Sequence, residues 1–174
     1  MPLVKDGAPI VDPYVKVEDD AALPDGPVLV SAARLAAEGE AVFAGNRPVG
    51  VAWPNDRDVA ELAPHLPRLS LVALAFPKFR DGRAYSQARL LRERLGFTGE
   101  LRATGDVLFD QLLMMTRAGF TAFEVKKAAD AAAFGGALAS YSIFYQPAAD
   151  GRTTVREARA AAAAPAPVRV AAKG

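Results

Sequence analysis

The sequence predicts an α/β fold in which alternating βα units lay down a mainly parallel sheet. Three observations predict it. Short apolar runs recur at 27–30, 48–53, 69–76, 100–104, 121–125 and 141–145, most of them followed by a window of helical spacing. The helical windows open on capping side chains and close on Gly or Pro, the punctuation of βα units. Hydrophobic residues make up 51% and charged residues 24% of 174, enough to bury one core.

Residues 1–26 read as an amino-terminal extension. Leu3-Val4-Lys5 and Pro9-Ile10-Val11 flank Asp6-Gly7 as a hairpin would. Glu18-Asp19-Asp20 and the Pro24-Asp25-Gly26 turn then set the extension apart from an α/β domain over 27–150. Pro27–Val30 is a strand, Ser31 caps a helix over Ala32–Glu38, and Gly39 closes it. Pro48–Trp53 is the second strand, and Asn55 or Asp56 caps a helix that Pro64 stops after Leu62. Leu69–Phe76 has Ser70 as its one polar residue, which suits a central strand covered on both faces.

Ala84, Ala88, Leu91 and Leu95 make one apolar stripe of the next helix, ended by Gly96. Glu100–Thr104 is the fourth strand. Asp106 is placed to cap a helix over Val107–Arg117 that Gly119 ends. Thr121–Val125 is the fifth strand, and an alanine-rich helix follows over Ala128–Ala139, weakened by Gly135-Gly136. Tyr141–Tyr145 reads as a sixth strand. Residues 151–174 form an Ala/Pro-rich tail, partly disordered, with a short helix from Val155 to Ala164.

Two closures fit this pattern: an open doubly wound sheet, which six strands favour, and a partial βα barrel. The fourth strand carries the clue to the second. It puts Leu101 and Ala103 on one face and Glu100, Arg102 and Thr104 on the other. A polar face suits a barrel interior or a cleft, and Glu124 would pair with Arg102 if the fourth and fifth strands are neighbours.

Composition excludes several chemistries. With no cysteine, disulfides, thiolate nucleophiles, zinc–thiolate sites and cysteine-ligated iron–sulfur clusters are ruled out. A single histidine and no cluster of metal-ligand spacing give no metal site. The net charge of +1, from 21 basic and 20 acidic residues, lacks the excess of a nucleic-acid binder. No run approaches the ~20 apolar residues of a membrane span, and the start MPLVKDGAPIVDP is too polar for a signal peptide. A soluble cytoplasmic protein is expected.

The charge is local. Between 78 and 94 stand six basic residues against two acidic ones, beginning where the strand 69–76 stops. In parallel α/β folds ligands sit beyond the carboxyl ends of strands, and arginine forks grip phosphate, sulfate or carboxylate. The candidate ligand-binding residues are therefore Lys78, Arg80, Arg83, Ser86, Arg102, Thr104 and Trp53, the last as a ring facing the ligand. Asp81 and Asp110 are candidate acid–base groups, although no recognisable catalytic constellation accompanies them.

The run FPKFRDGRAYSQARLLRERLGFTGELRATGDVLFDQ at 76–111, with Arg117-Ala118-Gly119-Phe120 and Ala122-Phe123-Glu124, resembles the bacterial family catalogued as domain of unknown function 934, over about residues 27–147. The resemblance implies an oxidoreductase or accessory protein associated with assimilatory sulfite reduction, with no agreed catalytic residues. Lacking cysteine, the chain is not the cluster-and-haem subunit that such reductases use. What the resemblance then implies is an accessory protein that docks on the sulfite reductase hemoprotein. An enzyme holding a small anion, or a flavin whose phosphate meets the Arg80–Arg83 loop, is the alternative. A third is a homodimeric interaction module packed through the alanine-rich helix.

Overall fold

In the computed structural model, which describes residues 1–139 and 141–163, eight strands form one sheet curled into a half-barrel. The elements run β1 (Leu3–Lys5), β2 (Ala8–Ile10), β3 (Val15–Lys16), β4 (Val28–Ser31), α1 (Ala32–Glu38), β5 (Val49–Trp53) and β6 (Leu69–Phe76). There follow α2 (Arg83–Arg89), β7 (Glu100–Gly105), α3 (Leu112–Arg117), β8 (Ala122–Glu124), α4 (Ala128–Ala139) and α5 (Val155–Ala163). The sheet order is β2-β1-β8-β7-β6-β5-β4-β3. β3 to β8 are parallel and lie in chain order, while β1 pairs antiparallel with both β2 and β8.

That order decides between the two closures. A doubly wound sheet reverses direction at a switch point, and here no reversal occurs. Right-handed crossovers between successive neighbours put every helix on one face. The main core is accordingly one cluster between that face and the helices, from Val28 and Leu35 through Leu74, Phe76 and Leu91 to Phe123 and Phe134.

The other face is the concave one. Register places Gly50, Leu71, Ala73, Ala75, Arg102 and Thr104 on it. Its apolar part is small: Leu29, Leu71 and Ala73, with Tyr14 and Ala52 against them. Gly50 is small of necessity, since a Cβ there would lie 2.9 Å from the Leu71 side chain. Arg102 is fully buried on this face. Asp12 accepts from its Nη1 at 2.6 Å and Nη2 at 3.0 Å, Glu100 accepts from Nε at 3.0 Å, and Glu124 stands at 3.9 Å. Tyr14 covers the guanidinium at 5.5 Å and donates its hydroxyl to Ser70 Oγ. The pairing with Glu124 anticipated from sequence is therefore present.

Local differences from the sequence reading have local causes. After β5 only a 3₁₀ turn forms, Val59–Leu62, capped by Asp58 rather than Asn55 or Asp56; the prolines at 54, 64 and 67 leave no room for a longer helix. Asp106 caps no helix, and α3 begins at Leu112 after a 3₁₀ turn. Residues 141–145 make no strand, only an isolated bridge from Phe144 to Thr154. β1 already occupies the outer edge of β8, so no edge is left for a sixth parallel strand there. β3, which the sequence did not announce, adds to β4 instead. Gly135 lets α4 approach the hairpin turn, where a Cβ would meet Gly7 O at 2.9 Å. The α5 helix opens on Thr154 and Glu157, each bonding the other's backbone N–H. The tail expected beyond α5 lies outside the described residues.

Replacing Arg102 by Ala takes the buried cation from Asp12, which solvent partly reaches, and leaves Glu100 with Lys5 alone, at 2.9 Å. Loss of one partner of a buried ion pair costs about 3–5 kcal/mol. Urea unfolding of Arg102→Ala should show a loss of about 2–3 kcal/mol, below that figure because Asp12 is partly in solvent and Glu100 keeps Lys5; a loss under about 1 kcal/mol would mean that the cluster does not hold the concave face closed.

Candidate functional site

β6 ends at Phe76 and runs into an exposed loop, 77–82, at the carboxyl rim of the sheet. This loop is clamped from the neighbouring β7 end. Gly105 turns at φ +91 where a Cβ would meet Phe76 O at 2.5 Å, and Asp106 N donates to that oxygen at 2.7 Å. Phe79 N donates to Asp106 Oδ2 at 3.0 Å, and Gln111 Nε2 donates to Phe79 O at 3.1 Å. Lys126, just past β8, holds Asp106 Oδ1. The Phe79 backbone is thus fixed on both sides while its ring stands 44% exposed. Arg80 lies over that ring at 5.3 Å. Neither Lys78 nor Arg80 has a carboxylate partner among the described residues.

The other predicted residues divide. Arg83 is exposed but spent on Asp81, through Nε at 2.9 Å and Nη2 at 2.6 Å. Arg83, and after it the Asn55 amide, hold the Asp81 carboxyl far below the ordinary carboxylate range. Asp81 therefore serves as an anchor for Arg83 rather than as a proton donor at neutral pH. Arg83 and Ser86 line a cavity of about 360 Å³ together with Asn55, Arg57, Gln87 and Leu90. Gln87 donates Nε2 to Pro54 O at 3.1 Å and Arg57 O at 2.8 Å, leaving its Oε1 unpaired.

Trp53, Arg102 and Thr104 stand elsewhere. Trp53 is 3% exposed, with Arg57 over its ring at 4.6 Å, so it is core rather than a ligand-facing ring. Arg102 is sealed in its carboxylate cluster on the concave face. Thr104 points to the same face and donates to Leu74 O at 3.3 Å. Asp110 is exposed in the 3₁₀ turn before α3. The rim thus brings together Lys78, Arg80, Arg83 and Ser86, and leaves the remaining three candidates out.

Two participants escaped the sequence reading as site residues. Phe79 carried a signal, an aromatic between two cations just after a strand. Gln87 carried another, since it sits on the buried stripe of α2 among Ala84, Ala88 and Leu91, where a polar residue has to earn hydrogen bonds. A larger cavity of about 540 Å³ opens at the opposite, amino-terminal edge of β7 and β8. Among the described residues no three His, Asp or Glu side chains gather to hold a metal ion, and no helix is long and apolar enough to cross a membrane.

A family model described as Bacterial protein of unknown function (DUF934) matches residues 50–156, more than half of the chain. The chain belongs to that family. Comparison with curated proteins and with solved structures finds no match.

The clamp on Phe79 has a pH signature. Lys126, and with it the Phe79 N–H, hold the Asp106 carboxyl below its ordinary range. The clamp is therefore complete above that range and fails as pH falls through the depressed folded value. The protection of Phe79 N–H, its exchange rate relative to the intrinsic rate at the same pH, should be high at neutral pH and should fall in Asp106→Ala or in acid. Equal protection in the variant would show that the loop is held by something else.

Proposed function

We propose that this DUF934 protein is a cytoplasmic accessory protein of assimilatory sulfite reduction that docks on an acidic surface of the sulfite reductase hemoprotein. The observation that carries the reading is the Lys78-Phe79-Arg80 tip: an exposed ring held by a fixed backbone, flanked by cations with no carboxylate of their own among the described residues. Exposed Phe109, on the turn that Gln111 ties to Phe79, extends the apolar area. A rigid aromatic with flanking charge suits recognition of a protein surface, where aromatic anchors contribute most of the affinity and charges speed the encounter. The family resemblance names the partner, and the charge of the tip names the sign of its surface.

The test uses the two purified proteins. The pair should bind, with affinity falling as salt rises. Lys78→Glu with Arg80→Glu should weaken binding by about tenfold or more, whereas Arg89→Glu, on the exposed face of α2, should leave it near the wild-type value. No association at low salt, or equal binding by the double variant, rejects the reading.

A second reading rests on the adjoining cavity, as a site for a small anion or a flavin. Gln87 Oε1 is buried at its wall without a hydrogen bond, and a buried polar atom calls for a partner. Arg83 and Ser86 stand at the same cavity. A ligand of the folded state raises the melting temperature by mass action. Sulfite, sulfate, phosphate, nucleotides and flavins should include at least one that shifts it, and Arg83→Gln should abolish the shift. A flat response to all of them ends this reading.

A further inference from the structure

The cavity at the amino-terminal edge of β7 and β8 has a volume of about 540 Å³, within the range of sites for small molecules. Charged and hydroxyl side chains make up more of its wall than apolar ones do. Phe120, Phe123 and Phe134 are each 1% exposed and offer an occupant no apolar face. What the cavity can recognise is therefore set by the polar groups that the fold leaves open. Arg92 is the first of these. It donates Nε to Gly119 O at 3.0 Å, and Nη1 to Phe97 O at 2.6 Å and Gly99 O at 2.8 Å. All three acceptors are neutral carbonyls. Among the described residues no carboxylate pairs with Arg92, and its Nη2 has no acceptor. Burial pulls its pKa down, as for a cation that gives up water without a counter-charge. The guanidinium bonds the backbone on both sides of Thr98, whose exposed hydroxyl bonds no other described residue.

Asp150 is the second. Its side chain is 6% exposed, and its Oδ1 accepts from Arg117 Nη1 at 2.8 Å. Its Oδ2 is buried without a hydrogen bond, with Arg152 Nε at 3.9 Å. Thr116 and Thr121 already use their hydroxyls on Leu112 O and Leu101 O. Gly119 brings the open groups to one wall. At its φ of +105, a Cβ would lie 2.6 Å from Arg92 Cγ and 3.4 Å from Ala149 Cβ, the residue before Asp150. The two groups lack different things. Arg92 lacks a negative charge. Asp150 has its charge met by Arg117 and Arg152, and its Oδ2 lacks only a donor. An ammonium there would approach two guanidinium groups, whereas a hydroxyl would meet no such repulsion. Asp6 stands exposed at the edge, where water and salt screen it.

We propose that this cavity binds a small hydroxy-carboxylate, its carboxylate received by Arg92 Nη2 and the Thr98 hydroxyl, and a hydroxyl of the ligand donating to Asp150 Oδ2. The carboxylate supplies the counter-charge that the surroundings of Arg92 lack. The hydroxyl supplies the donor that a buried carboxylate oxygen calls for. This inference stands apart from the docking tip at the opposite rim, and either can fail without the other.

Titration of the ¹⁵N-labelled protein with lactate, glycerate and gluconate tests it. At least one should give saturable shifts at the amides of Thr98, Gly119 and Asp150. It should bind about tenfold or more tightly than its counterpart without hydroxyls, propionate or hexanoate. Glycerol, which lacks the charge, and alanine, whose ammonium replaces the hydroxyl of lactate, should be weaker by a similar factor. Asp150→Asn keeps an oxygen for Arg117 but puts a donor in place of an acceptor. It should cost the hydroxy acid about tenfold while leaving propionate or hexanoate no weaker. Thr98→Val, at an exposed position, should weaken the hydroxy acid by about threefold or more, and decides the matter alone if Asp150→Asn does not fold. Absence of saturable shifts with all three hydroxy acids overturns the proposal. So does equal or tighter binding of propionate, hexanoate or alanine, or undiminished binding by folded Asp150→Asn or Thr98→Val.

Discussion

β2 and β3 lie at opposite edges of the sheet, yet only residues 11–14 join them. In a flat eight-stranded sheet, seven steps of about 4.8 Å would part those edges by about 34 Å. The five steps from Ile10 to Val15 reach at most about 18 Å even when fully extended. The sheet must therefore curl, and the connector must cross its concave face. Asp12 and Tyr14 are the residues that cross, and both engage Arg102. The ion pair is thus the fastening between a short connector and the curve that the connector demands. Rims, cavities and loop positions all inherit that curvature.

The same constraint explains the composition of the concave face. A curved sheet brings inward side chains together, and Gly50, Ala52, Ala73 and Ala75 leave the room that Leu71 and Arg102 fill. A buried ion cluster is a poor source of stability compared with well-packed apolar residues, because desolvation offsets most of the attraction. What it supplies here is position: Arg102 donates to one carboxylate from the connector and to one from its own strand, and so fixes which residue of the connector lies over β7. Stability comes chiefly from the other face, where the core cluster lies between β4 to β8 and the helices.

The legible part of the sequence was the part set by local rules. Alternating apolar runs and caps placed β4 to β8 and the helices at 32–38, 83–94, 128–139 and 155–163 close to where they stand. Arg102 and Glu124 were legible as a pair because one polar face on a strand demands a partner. What was not legible depended on which edge was free. The run at 141–145 has the composition of a strand, but β1 had taken the place beside β8. Asp106 has the composition of a cap, but the loop after β6 offered its carboxylate an unsatisfied N–H from Phe79. Trp53 at a strand end looked like a ligand face, and the aliphatic and guanidinium parts of Arg57 closed over it. In the first two cases a contact remote in sequence overrode the local preference, and in the third a neighbour four residues along the chain did.

The cations of the carboxyl rim differ in what they do for the fold. Lys126 anchors Asp106, Arg83 is tied to Asp81, and Arg57 covers Trp53 while bonding Glu61. Their charges are matched nearby, so each projects little field. Lys78 and Arg80 have no such partner among the described residues, and they sit on a backbone bonded on both sides by Asp106 and Gln111. An exposed cation without a carboxylate adds little to stability. Its physical consequence is the potential it places in solvent, which draws an opposite charge and orients its approach. Because the tip is held before any partner arrives, little ordering entropy remains to be lost on contact. A fixed aromatic between two such cations therefore does little to keep the chain folded, and that is the physical ground on which the proposed docking role rests.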